Sequence, residues 1–114
     1  MLIPNITFLL EPSRTEEFLR WFHADAISFL RAGDVSDISL AILREVQGEI
    51  NPPDRGVSVA CRSLFHDEEA FRAWEKESLE VCLDAYRNRF GPEALAFCTL
   101  LESLDFLIDT PEDK

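Results

Sequence analysis

The chain has 114 residues, 46% of them hydrophobic, and 22 acidic side chains against 11 basic ones give it a formal net charge of −11. That length and apolar share predict one globular domain over 1–114, large enough to fold without metals or disulfides. The charge argues against nucleic acid, which is bound by neutralising phosphates with Lys and Arg, and against docking on anionic lipid.

No run approaches the roughly 18–20 apolar residues that span a bilayer. The opening Met1-Leu2-Ile3-Pro4-Asn5 has neither the basic start nor the apolar stretch of a secretory signal. Cys61, Cys82 and Cys98 are an odd number without C-x-x-C spacing, which fits reduced thiols in a cytoplasm. A cytoplasmic protein is expected, its acidic surface serving solubility.

Residues 2–10 predict a first strand, because Ile6, Phe8 and Leu10 alternate with Asn5, Thr7 and Leu9 at the period of two. Glu11-Pro12 ends it. Ser13-Arg14-Thr15-Glu16 has the spacing of a capping box. The helix that follows carries Phe18, Trp21, Phe22, Ile27, Phe29 and Leu30 as an apolar stripe, with Gly33 placed to stop it in a left-handed turn.

A second strand is predicted over 35–47, with Ile38, Leu40, Ile42 and Val46 on one side and Asp37, Ser39, Ala41 and Glu45 on the other. The stretch 48–56 is dense in turn formers and predicts a long hairpin loop whose role the sequence does not reveal. Strand three, 57–65, sets Val57, Val59 and Cys61 against Ser58, Ala60 and Arg62.

Asp67 is placed to cap a second helix whose inner stripe is Ala70, Phe71, Trp74, Leu79, Val81, Cys82, Ala85 and Tyr86, ended by Phe90-Gly91-Pro92. A last strand is expected over 94–104, and the tail 105–114 is expected to fray or to pack on a partner. Two β-α-β halves joined by a hairpin predict an α+β, ferredoxin-like β-α-β-β-α-β sandwich. Both helices then cover one face of a four-stranded antiparallel sheet, with the first and third strands in its middle.

Chemical signatures are sparse. The four glycines are isolated turn formers rather than a phosphate loop, and there is no G-x-S-x-G elbow. His23 and His66 lack partners at metal-ligand spacing, so neither a metal nor a cofactor is expected, and no catalytic residue is assigned. The cysteines read as small core residues.

The sheet face left bare by the helices should carry Asn5, Thr7, Ser39, Ala41, Ser58, Ala60 and Arg62, with one side of the last strand. It is too apolar for free exposure, and packing against a second sheet or binding a ligand are the two uses for it. Asn5, Arg62 and Cys61 are the residues assigned to ligand binding there. For Arg62, Asp37 or Glu45 would be the balancing carboxylate.

The segments Ile3-Pro4-Asn5-Ile6-Thr7, Phe18-Leu19-Arg20-Trp21-Phe22, Val57-Ser58-Val59-Ala60-Cys61, and Arg89-Phe90 followed by Ala96-Phe97-Cys98-Thr99-Leu100-Leu101 carry a likeness over nearly the whole chain. By them the chain resembles a bacterial family of short ferredoxin-like domains of unknown function. Where relatives tend to place a His-Ile-Pro element after the tryptophan, Asp25-Ala26-Ile27-Ser28 stands here. The resemblance implies the fold and no activity.

The expected function is therefore a non-catalytic homodimer that binds a small molecule or a protein partner through its open sheet face. The alternative is a cofactor-free enzyme of the dimeric α/β-barrel type acting on a small hydrophobic substrate. Such an enzyme needs positioned polar groups in a cleft. A filled core would weigh against it.

Overall fold

A computed structural model describes residues 1–33, 35–43, 57–91 and 94–104. Four strands, β1 (Leu2–Leu10), β2 (Asp37–Ile42), β3 (Val57–Leu64) and β4 (Leu95–Glu102), form one antiparallel sheet in the order β2-β3-β1-β4. The helix α1, residues 15–30, lies between β1 and β2; the helix α2, residues 68–90, lies between β3 and β4. The order and direction of these elements make the fold ferredoxin-like.

Alternation in β1 decides which face meets the helices. Pro4, Ile6, Phe8 and Leu10 are buried while Ile3, Asn5, Thr7 and Leu9 keep partial exposure. In β3 the inward set is Val59, Cys61 and Ser63, followed by Phe65, which bridges to Leu2. Phe8 is the centre of the core: its ring lies 4.9 Å from that of Tyr86 and 5.1 Å from that of Phe18, with Trp21 and Phe22 edge-on beside it. Phe65, Phe71 and Trp74 form a second aromatic group under α2. Offset and edge contacts of this kind add to the area they bury.

Both helices depart from a regular α-helix in the same way. α1 is α-helical over Thr15–Trp21, opens into a π turn over Phe22–Ala26 and closes again over Ile27–Leu30. α2 runs Glu68–Trp74, a π turn over Glu75–Leu79, then Glu80–Phe90. Each π turn therefore follows a buried Phe-x-x-Trp, Phe18 to Trp21 and Phe71 to Trp74.

The ends are built differently. Asp67 Oδ1 accepts from the Ala70 amide at 2.8 Å, the N-cap expected of it. The capping box expected at Ser13 does not form. Pro12–Arg14 make a 3-10 turn instead, and Thr15 Oγ1 donates back to the Pro12 carbonyl at 2.9 Å. A proline at the first position presets φ for that turn, so the free amides of the helix start are covered without Ser13. Gly33 follows α1 with φ +77° and Gly91 follows α2 with φ +100°, conformations in which a Cβ is strained. The Glu17 carboxylate accepts from Arg14 (2.9 Å) and Arg89 (3.3 Å), joining the start of α1 to the end of α2; the Arg14 hydrogen bond holds its pKa below the usual range.

Three further expectations need correction. β2 is a strand over Asp37–Ile42 rather than from 35, and Arg44 to Gln47, with Glu45 and Val46, lie outside the described residues, as do the 48–56 loop, Pro92 and the 105–114 tail. The last strand is Leu95–Glu102. Val81, placed in the inner stripe of the second helix, is 43% exposed. The π turn adds a residue before it, so Ser78 and Leu79 both turn inward and the phase of the stripe moves past Val81.

Candidate functional site: the open face of the sheet

The strand pairings arrange the uncovered face in rows that run across all four strands. Ser39, Arg62, Asn5 and Thr99 form one of the two middle rows. Beside it lies Ala41, Ala60, Thr7 and Phe97. A third row is Ser58, Leu9 and Leu95, extended at the β2 side by Leu43, whose amide donates to the Ser58 carbonyl. At the other end stand Asp37 with Leu64, and Ile3 with Leu101.

Size is distributed unevenly along these rows. The β2 and β3 side carries Ala41, Ala60, Ser39 and Ser58, whereas the β4 edge carries Leu95 (60% exposed), Phe97 (49%) and Leu101 (41%). A strand apolar on both sides does not reveal from sequence which side is bare. The pairing of Thr99 with Asn5 settles it. Among the described strand residues of this face, Asp37 and Arg62 are the charged ones, and their formal charges cancel.

Asn5 and Arg62, both assigned to ligand binding from sequence, are direct cross-strand partners at the middle of the face. Arg62 is exposed. The Oδ1 of Asn5 is buried and finds no hydrogen-bond donor among the described residues. An acceptor left in that state costs free energy unless a donor is brought to it.

Cys61 does not join them. It is adjacent to Arg62 in sequence, and the period of two turns it to the helix side, where it is fully buried against Ile6. Burial pushes its thiol up to about 12, away from the thiolate that chemistry or metal ligation would use. Cys82 in α2 is raised to about 12 in the same way, and the half-buried Cys98 to about 11. Ile6 lies between Cys61 and Cys98 in the sheet, so the two are separated by a full strand and cannot be bridged.

His23 and His66 are both exposed. Among the described residues no three His, Cys, Asp or Glu side chains converge to hold a metal ion, and no helix is long and apolar enough to cross a membrane. Between α1 and the β2 edge lies a shallow cleft of about 200 Å³ lined by Thr15, Leu19, Leu40, Ala41, Ile42 and Val59. Its one hydroxyl, on Thr15, is already committed to the Pro12 carbonyl.

A ferredoxin-like α+β domain, with one sheet face that no described residue covers, is thus the class to which the chain belongs. No protein-family model matches it, and no curated protein matches it. Solved structures match the fold. The chain is similar to a mutant of SnoaB, a cofactor-independent oxygenase from Streptomyces nogalater, at 16% identity over 95% of this chain and 98% of that one, with a TM-score of 0.57. An ethyl tert-butyl ether (EthD) family protein from Bacillus halodurans matches at 12% identity over 91% and 100%, with a TM-score of 0.56. The de novo designed protein Foldit4 matches at 9% identity over 90% and 98%, with a TM-score of 0.54. A fold shared by an oxygenase, an EthD-family protein and a designed protein does not by itself assign an activity.

Proposed function

We propose that the chain is a non-catalytic binding protein of the reducing cytoplasm that works as a homodimer, its two open sheet faces packed on one another. One observation carries this reading. In a chain of net charge −11, the described strands present one face whose charges sum to zero and whose large side chains are half exposed. An acidic protein can meet its own copy only where like charge has been removed, and large exposed apolar patches mark such contacts.

Size supports it as well. Four strands at about 4.8 Å spacing and eight residues at about 3.3 Å give each copy a face on the order of 500 Å². Two copies bury on the order of 1,000 Å², the lower bound for a specific interface. A small molecule or protein partner would bind through the same open faces, at their edges. The resemblance to a bacterial family of unknown function belongs to the same proposal.

Sedimentation at micromolar concentration tests it, on the parent and on Ala60→Glu, which puts a carboxylate in the centre of the face. The parent should sediment as a dimer and the variant as a monomer. A monomeric parent, or a variant whose dimer is undisturbed, would defeat the reading.

A cofactor-free enzyme for a small hydrophobic substrate is the second reading, supported by the fold shared with SnoaB, a cofactor-independent oxygenase. Against it stands the aromatic core, packed where a substrate would be enclosed. Stoichiometric binding of an environment-sensitive apolar dye, abolished by Leu19→Glu in the cleft and unaffected by Ala60→Glu, would favour the enzyme.

A further inference from the structure

We infer that the two copies meet about a two-fold axis running parallel to the strands, so that β4 of each lies over β2 of the other and the Asn5 oxygen is satisfied by Arg62 of the second copy. This rests on the face-to-face dimer proposed above and fixes its geometry.

Two symmetric arrangements bring the faces together with strands aligned, as packed sheets prefer. With the axis along the strands, each row meets the same row of the second copy in reversed strand order. With the axis across the strands, β4 meets β4 and the rows are exchanged end for end. The side chains of the face choose between them.

In the first arrangement Phe97 sits over Ala41, and Thr7 over Ala60, so bulk meets a gap on both sides of the axis. Leu95 meets Leu43, two of the most exposed leucines of the face. In the second arrangement, with the axis at the middle of the four rows, Phe97 meets Thr99 and Leu95 meets Leu101 along the β4 edge while Ala41 faces only Ser39 along the β2 edge, which crowds one edge and leaves the other open. Interfaces pack at the density of interiors, so uneven filling of this sort is unfavourable.

Charge gives the same answer independently. Across the strands, Arg62 confronts Ala60 of the second copy and its charge meets no polar partner. Along the strands, Arg62 confronts Asn5 twice by symmetry, and Asn5 carries the buried Oδ1 that lacks a donor in its own chain's described residues. A guanidinium brings five donors, and a small outward rotation of the amide presents the oxygen to it. The pair also lies in one of the two middle rows, where the twist of about 30° between packed sheets displaces side chains little. Thr99 and Ser39, the ends of the same row, then face one another as two hydroxyls.

Cross-linking distinguishes the two. A short bismaleimide is applied to Thr99→Cys and to Ser39→Cys/Thr99→Cys, both in a Cys98→Ser background so that the two fully buried thiols are the ones left. Sedimentation is run on the same samples. The expected result is a covalent dimer from the double variant and almost none from Thr99→Cys alone. A dimer in which Thr99→Cys alone links to itself, or in which neither variant links, overturns the axis while leaving the dimer standing. A parent that is monomeric overturns the dimer and the axis with it.

A swap of sizes gives a second check. Phe97→Ala and Ala41→Phe should each weaken dimerisation at least tenfold, and the combined variant should recover most of the loss. Recovery fails if the two positions do not meet.

Discussion

The indole nitrogen of Trp74 donates a buried hydrogen bond of 2.9 Å to the carbonyl of Leu30. Leu30 is the last helical residue of α1, so its carbonyl has no acceptor role within its own helix. The second helix thereby completes the end of the first, from 44 residues away in sequence.

Trp74→Phe keeps most of the packing and removes the donor, leaving a buried carbonyl unpaired. A loss of about 1–3 kcal/mol is expected. Trp74→Ala and Trp21→Ala open cavities in the aromatic core and should each cost about 3–5 kcal/mol. Thermal or urea unfolding reads all three. A Trp74→Phe variant as stable as the parent would mean that the carbonyl finds water instead.

Tyr86 is the one tyrosine in the chain, fully buried, with its hydroxyl donating to the Leu9 carbonyl at 2.8 Å. Burial pushes the phenol from 10.0 up to about 12, so the folded state holds this proton more tightly than the unfolded chain does. The raised thiols of Cys61 and Cys82 act with the same sign, from 9.0 to about 12. Their contribution is intact below pH 9 and is lost as pH rises through about 12. In an alkaline titration, phenolate absorbance should appear together with loss of structure. Phenolate forming in the folded protein near pH 10 would contradict the buried geometry. Tyr86→Phe should cost about 1 kcal/mol at neutral pH.

Thiol accessibility follows the same geometry. With an uncharged disulfide reagent near neutral pH, Cys98 should react slowly, while Cys61 and Cys82 should stay silent until denaturant is added. Rapid reaction of all three would show that the helix layer lifts off the sheet.

The two helix starts make a matched pair. Asp67→Ala removes a side-chain cap and should cost about 1 kcal/mol. Ser13→Ala removes a hydroxyl that caps nothing and should leave the melting temperature unchanged. Equal losses at the two sites would mean that the 3-10 turn depends on Ser13.

β1 is legible in the sequence because its residues alternate between the two faces from Ile3 to Leu10, and Asp67 because the first acid before an amphipathic run is placed to cap it. Strand order follows from connectivity. The π turns are invisible in the sequence, since an added residue in a helix leaves no mark in composition and emerges only as a stripe that misses Val81. The placement of Asn5 and Arg62 on the open face is legible from their parity on neighbouring strands. Cys61 is grouped with them for its chemistry, although the same parity excludes it. The bulky β4 edge goes unread because a strand apolar on both sides has no parity of its own, and borrows one from the strand it pairs with.

The two π turns bear on how this chain can change length. Removing one residue from either, Ala24 for example, would let the helix close into regular turns and recover the hydrogen bonds that the wide turn stretches. It would also rotate everything beyond by about 100°. Ala26 and Leu30 would swing off the core in the first helix, and Cys82, Tyr86 and Phe90 in the second. A deletion that improves the helix locally therefore dismantles the interior globally. A one-residue change in length at either point should be tolerated far worse than one in the turns that connect the elements.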